Sequence, residues 1–258
     1  SLFEIFGHKT FRPGQIDIIE NIFQGADTIG ILPTGGGKSL CYQLPAILSS
    51  GLTLVVCPIK SLMRDQVEEL RRIGFHRAAA IDSDTSVKDK ERILTAVSMG
   101  ALRFLFVSPE RLQVKSFRAT IEDLNVRNPL ARVVIDEVHC MSEWGHDFRT
   151  AYLTLPNTIK AILPTTPKLC LTATASTRVL DDIKTEFRID ANDVKTLALY
   201  RRENLNFAVL DCQPFEEVHK ILREKLATNT LNNSQASIIF TSFVNGESGA
   251  HPLYQSIK

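Results

Sequence analysis

The run Ile31-Leu32-Pro33-Thr34-Gly35-Gly36-Gly37-Lys38-Ser39 constrains this chain more than any other stretch. Three consecutive glycines let the backbone curl until successive N–H groups point inward at one anion. Lys38 adds a cation that reaches outer phosphates, and the Ser39 hydroxyl is suited to ligating a magnesium ion. Ahead of the loop, Thr28-Ile29-Gly30-Ile31-Leu32 is short and mostly apolar, which suits a buried strand. Behind it, Leu40, Leu44, Ile47 and Leu48 recur at helical spacing, so a helix N-terminus faces the anion. The strict phosphate-loop pattern has a glycine where this chain has Leu32. A flexible glycine turn before a helix is the bland alternative, and a Gly-Lys-Ser ending between strand and helix speaks against it. The loop alone does not say what phosphate binding drives.

The same strand-then-helix rhythm continues along the chain. Apolar runs at residues 52–57, 78–81, 104–107, 133–135 and 169–171 read as strands. Helical spacing recurs over Gln15–Gln24, with Ile16, Ile19, Ile22 and Phe23 on one face. It recurs again over Leu62–Ile73, Val87–Met99, Leu153–Leu163 despite Pro156, and Thr177–Phe187. This alternation predicts an α/β fold, a parallel sheet with helices on both faces. Right-handed crossovers then bring every strand's C-terminal end to one edge, where ligands of such sheets bind. The polar clusters fall at those ends: the glycine loop, Pro58–Ser61, Ser108–Arg111, Asp136–His139 and Thr172–Thr174. Arg71, Arg72 and Arg77 read as a solvated helix face. After Asn204 one further βαβ unit follows, with strands at 205–210 and 238–240 and a helix at 215–226, too small for an independent core.

A chain of 258 residues holds one large domain or two smaller ones. Its formal net charge is only +1, so any contact with nucleic acid must come from local patches. The five cysteines are far apart, with no Cys-x-x-Cys pair. They read as reduced, mostly buried thiols of an intracellular protein, cytoplasmic in a bacterium or nuclear in a eukaryote, without zinc or a disulfide framework. No signal peptide and no bilayer-spanning apolar run is present, so no membrane role is expected.

Asp136 and Glu137 end the buried run Val133-Val134-Ile135. Carboxylates at the rim of a core are costly unless paired or metal-bound. With Lys38 and Ser39 at the same edge, Asp136 would hold the magnesium and Glu137 would orient and deprotonate an attacking water. The competing explanation is an acidic helix N-terminus interacting with its dipole. Trp144, the only tryptophan, stands within five residues of His146, Phe148 and Arg149. That cluster suits a stacking platform for single-stranded bases beside a cation for phosphate, or an aromatic plug of the core.

Several ordered motifs carry a family resemblance. Asp136-Glu137-Val138-His139 resembles the Asp-Glu-x-His box of superfamily-2 helicases, and Leu171-Thr172-Ala173-Thr174-Ala175 resembles their motif III. Phe6-Gly7 with Phe11-Arg12-Pro13-Gly14-Gln15 is similar to the N-terminal motif of the RecQ family of DNA helicases. Leu32–Ala46 and His139–Arg149 resemble that family's phosphate loop and aromatic-rich loop, and the match runs from Phe6 to about Leu205. The resemblance implies a first RecA-like P-loop NTPase domain over residues 1–203 and the beginning of a second, incomplete α/β domain of the same type over 204–258. The second domain's arginine fingers, the zinc domain and the winged helix are not found before Lys258.

The resemblance also implies ATP and Mg2+ as cofactors and single-stranded or partly duplex DNA as partner. It assigns Arg12 and Gln15 to adenine, with His8 where many relatives carry a stacking aromatic. Thr34, Gly35, Gly36, Gly37, Lys38 and Ser39 would take the phosphates, Ser39 and Asp136 the metal, and Glu137 the water. His139, Thr172 and Thr174 would link nucleotide state to the other motor domain. Lys60, Ser61, Arg111, Trp144, His146, Phe148 and Arg149 would contact or sense DNA. Two rival readings stay open: a phosphate-loop ATPase switch or nucleic-acid-binding module that never translocates, and an RNA helicase. A GTPase is disfavoured because no Asn-Lys-x-Asp motif occurs.

Overall fold

The computed structural model describes residues 2–142 and 149–196, together with Lys220 and Glu224, which are helical and exposed. Contacts gather the chain into two units, Ser1–Tyr200 and Arg201–Lys258. In the first unit α1 (Leu2–Phe6) and α2 (Gln15–Phe23) precede β1 (Thr28–Ile31) and α3 (Lys38–Leu48). β2 (Thr53–Val56), α4 (Lys60–Arg72), β3 (Ala78–Ile81) and α5 (Val87–Ser98) follow. Next come β4 (Phe104–Val107), α6 (Pro109–Gln113), α7 (Lys115–Arg127) and β5 (Arg132–Ile135). The described chain ends with α8 (Thr150–Leu153), α9 (Leu155–Ile162), β6 (Lys168–Thr172), α10 (Thr177–Phe187) and β7 (Val194–Thr196).

Among the described residues seven strands form one sheet in the order β3-β4-β2-β5-β6-β1-β7, and every pairing is parallel. The alternation of strand side chains gives the sheet two apolar faces. Leu54, Val56, Leu105, Val107, Val133 and Ile135 share one core with residues of α5, α7, α9 and α10. Val55, Phe104, Phe106, Val134 and Leu171 share the other with residues of α1 to α4. Burying a side chain such as Ile18, fully enclosed here, contributes about 1.5–3 kcal/mol. The expected parallel sheet with helices on both faces is therefore present. No described helix is long and apolar enough to cross a membrane.

Gly30 explains how α2 lies so close to β1. A Cβ there would stand 2.7 Å from Ile18 Cδ1 and 2.8 Å from Leu171 Cδ2. Leu32 explains its departure from the glycine pattern. Its N–H donates to the Thr172 carbonyl at 3.1 Å, extending the β1–β6 pairing, and its side chain is fully buried. A glycine at this position would leave part of that core empty.

Three local expectations are corrected. The buried face of α2 is Gln15, Ile18, Ile19, Asn21 and Ile22, while Ile16 and Phe23 are 48% and 54% exposed. Residues 153–163 are not one helix: the chain breaks at Thr154, and Pro156 takes the first turn of α9, where its missing N–H costs nothing. Arg77 is not on a helix face. It precedes β3, and its guanidinium donates to Gly100 O at 2.6 Å and Ala101 O at 2.9 Å. α7 and β7 were not anticipated at all. The strands and helix expected over 205–240 lie outside the described residues, apart from Lys220 and Glu224.

Candidate active site

The glycine loop turns between β1 and α3 through left-handed backbone at Gly35 (φ 76°) and Gly37 (φ 75°). Either position strains an L side chain. Gly36 has a different reason: a Cβ there would lie 2.8 Å from the Pro33 carbonyl. Gln15, on α2, is buried against the loop, and its Nε2 donates to both Gly36 O and Gly37 O at 3.1 Å. Its Oε1 accepts the Arg12 N–H at 2.8 Å, and the Arg12 guanidinium donates to Gly35 O. These two residues thus brace the loop from outside. They also line, with Phe6, exposed His8, Thr10, Ser39 and Gln43, a cleft of about 260 Å³ beside it. For Gln15 to make paired bonds with a base, its amide must leave Gly36 and Gly37.

Opposite the loop, β5 delivers Asp136 and Glu137. The Asp136 N–H still pairs with Val56 O at 2.9 Å, so the residue is held by the sheet. The buried Tyr152 hydroxyl donates to Asp136 O at 2.8 Å, just where Glu137 turns into left-handed backbone (φ 50°). A non-glycine residue in that region is strained, and such strain gathers at functional sites. Burial, and then the neighbouring Glu137 charge, push the Asp136 carboxyl up to about 6. Glu137 moves the other way. Burial alone would raise it, but His139 and Lys38 outweigh burial and keep it ionised.

Lys38 Nζ stands 3.4 Å from Glu137 Oε1, and His139 Nδ1 stands 3.3 Å from Glu137 Oε2. The Thr172 hydroxyl, from the end of β6, donates to Thr174 O at 2.9 Å. Its proton is spent there, so its oxygen accepts from His139 Nδ1–H at 2.9 Å. The Cys140 sulfur beside Nε2 and the Glu137 carboxylate both favour the protonated ring, raising His139 to about 9. Lys38, Glu137, His139, Thr172 and Thr174 are therefore one connected polar chain across three strand ends.

Of the expected cations, Lys60 follows β2 and Arg111 follows β4, in the neighbouring half of the same edge, while Arg149 stands just before α8. Lys60 opens α4, with Ser61 exposed beside it, and Lys60 Nζ meets Asp84 Oδ1 at 2.8 Å. Arg111 Nη2 donates to Asp82 O at 2.6 Å. Arg149 Nη1 donates to Pro58 O at 2.8 Å, tying the residue to the end of β2. Trp144, His146 and Phe148 lie outside the described residues.

Residues 12–183 match the model of the DEAD/DEAH box helicase family. The chain belongs to that family. A probable ATP-dependent DNA helicase RecS of Bacillus subtilis is 44% identical over 183 residues, 71% of this chain and 36% of the relative. An ATP-dependent DNA helicase RecQ of Pasteurella multocida is 36% identical over 218 residues, covering 84% of this chain and 33% of the relative. The resemblance to RecQ helicases stands, over about a third of those proteins' length. The structure of the Mycobacterium smegmatis helicase Lhr, bound to ssDNA and AMP-PNP, superposes with TM-score 0.64 at 19% identity. It covers 97% of this chain and 34% of that one, and establishes a shared helicase fold.

Three features of this helicase domain were not legible beforehand. The bracing of the loop by Gln15 had one signal, a polar residue at a buried helical position. The Tyr152 contact to Asp136 O had none, because the two residues meet only in the fold. The Asp82–Asp84 turn that takes Lys60 and Arg111 likewise carries no motif.

Proposed function

We propose that this chain is the ATP-binding motor domain of a RecQ-type DNA helicase, with residues 204–258 beginning a second motor domain. In the intact protein, hydrolysis would drive 3′ to 5′ movement along single-stranded DNA and separate partly duplex DNA. The observation that carries this reading is the chain of ion pairs and hydrogen bonds from Lys38 through Glu137 and His139 to Thr172 and Thr174. It links the phosphate loop to the ends of β5 and β6, and the pairing of β5 with β2 joins it to the strand that leads into Lys60, so a change at the phosphates has a path outward.

The residues fit the chemistry. Outer phosphates compete with Glu137 for Lys38, and the loop N–H groups and the α3 N-terminus take the remaining charge. Two acids at one rim, Asp136 raised to about 6 yet charged at neutral pH and Glu137 firmly ionised, suit one metal ligand and one base. Among the described residues no group of three or more His, Cys, Asp or Glu could hold a metal ion. Magnesium would therefore rest on Ser39, Asp136 and the nucleotide itself, supplying charge neutralisation at the outer phosphates. Ionised Glu137 positions and deprotonates the attacking water, and protonated His139 reports the state of Glu137 to Thr172. His8, Arg12 and Gln15 border the cleft in which adenine would lie.

Two substitutions separate these roles. Lys38→Ala should remove ATP binding, read by fluorescent-nucleotide titration. Glu137→Gln should keep binding and reduce turnover by about 10²-fold or more. Equal turnover in Glu137→Gln and the parent protein would rule out Glu137 as the base.

A further inference from the structure

The turn after β3 carries two acids in different positions. Asp82 is buried, and its Oδ1 accepts the Asp84 N–H at 2.8 Å and the Thr85 hydroxyl at 3.1 Å. The Asp82 N–H donates to Thr85 Oγ1 at 2.9 Å, closing the turn, and Arg111 Nη2 donates to Asp82 O at 2.6 Å. Asp84, by contrast, has a side chain 56% exposed, held out over the start of α4 by this rigid turn.

Two cations one helical turn apart on α4 meet that exposed carboxylate. Lys60 Nζ reaches Asp84 Oδ1 at 2.8 Å and Arg64 Nη2 reaches Asp84 Oδ2 at 3.2 Å. The Ser83 hydroxyl adds a bond to Oδ1 at 3.1 Å. Each carboxylate oxygen thus has its own cation, the arrangement that the two non-bridging oxygens of a phosphodiester would also satisfy. Arg64 is in addition anchored through Asp82 Oδ2 at 2.8 Å, so it stays in place if Asp84 leaves.

We propose that Lys60, Arg64 and Ser83 form a site for one backbone phosphate of single-stranded DNA, and that Asp84 is a built-in occupant which the phosphate displaces. This rests on the nucleic-acid reading above and adds Arg64, Ser83 and Asp84 to it. Asp84 is the acid that can move: it is exposed, while Asp82 is buried and holds the turn. Lys60 and Ser83 keep the Asp84 carboxyl below the usual range, so the occupant carries its charge at any working pH. Exposed ion pairs are weak, so a phosphate within a multivalent strand can replace this one. The site lies on the β3-β4-β2 half of the edge, apart from Lys38 and Glu137. Nucleotide and strand can therefore be held together.

The test is fluorescence anisotropy of a labelled oligo-dT strand with the 258-residue chain, repeated across a sodium chloride series. Asp84→Asn should tighten binding about 2- to 10-fold, because the competitor is gone and the cations remain. Lys60→Ala with Arg64→Ala should weaken binding and flatten the salt slope by about 0.7, the share of one phosphate on a single strand. Adding Asp84→Asn to that pair should then give no gain. If the parent chain binds through Lys60 but Asp84→Asn is no tighter, Asp84 is an ordinary surface pair and the proposal is overturned. If neither parent nor Asp84→Asn binds the strand at any salt, the nucleic-acid reading falls and takes this site with it.

Discussion

Asp136 shows how one buried carboxyl trades stability for function. Its folded value of about 6 lies above the ordinary 3.8, so the fold prefers it protonated. Its contribution therefore worsens as pH rises from about 4 through 6, and at neutral pH the nucleotide-free protein carries a buried charge that Lys38 and His139 offset only in part. Asp136→Asn keeps an acceptor for the Glu137 N–H, which now sits at 3.0 Å from Asp136 Oδ1, and removes that charge. It should stabilise the nucleotide-free protein at pH 7 by on the order of 1–2 kcal/mol, and by little at pH 4. Urea melts at both pH values, parent against variant, read this directly; a variant less stable at pH 7 would contradict it. His139 acts in a separate window. Raised to about 9, its proton supports the fold fully below about 6.5 and is lost as pH climbs through 9, in the parent and in Asp136→Asn alike. At this scale the acids, Lys38 and the loop glycines were readable because each needs a specific residue type. The direction of each carboxyl's shift was not, since it depends on burial and on neighbours up to a hundred positions away.

Among the elements, strands were the easiest to read. Each of β1 to β6 is a short, mostly apolar run stopped by polar residues, and a covered parallel strand has little choice of composition, whereas the edge strand β7, Val194-Lys195-Thr196, carries no such signal. Helices were harder where two faces compete. In α2 both the series through Ile16, Ile19, Ile22 and Phe23 and the series through Gln15, Ile18, Ile19 and Ile22 have helical spacing. Counting apolar residues favours the first, but Gln15 must face the loop and Asn21 must reach Asp193, 3.1 Å away, so the second is buried. α7 buries Phe117, Ile121 and Leu124 behind a surface rich in charge, and that dilution hid its period. Gly30 offers a test of how tightly α2 and β1 are fitted. Gly30→Val should cost about 1–3 kcal/mol, because its branches have no room between Ile18 and Leu171. Thermal or denaturant unfolding gives the number, and an unchanged midpoint would mean the two layers can part without strain.

Across the whole described domain, strand order divides the functional edge in two. β5, β6 and β1 carry the acids, Thr172 and the glycine loop, while β3, β4 and β2 carry Asp82–Asp84, Arg111 and the start of α4. The alternation of strands and helices made that edge foreseeable, but not its order, which non-local pairing sets. The polar chain from Lys38 to Thr174 lies within the first half and meets the second where β5 pairs with β2, so if it couples the halves, occupancy of one must alter chemistry at the other. ATP turnover by the full-length protein, measured as single-stranded DNA is titrated in and repeated with RNA of the same sequence, tests this most directly. Turnover should rise at least several-fold with DNA and much less with RNA. Turnover indifferent to either strand would contradict a motor and leave a nucleotide switch.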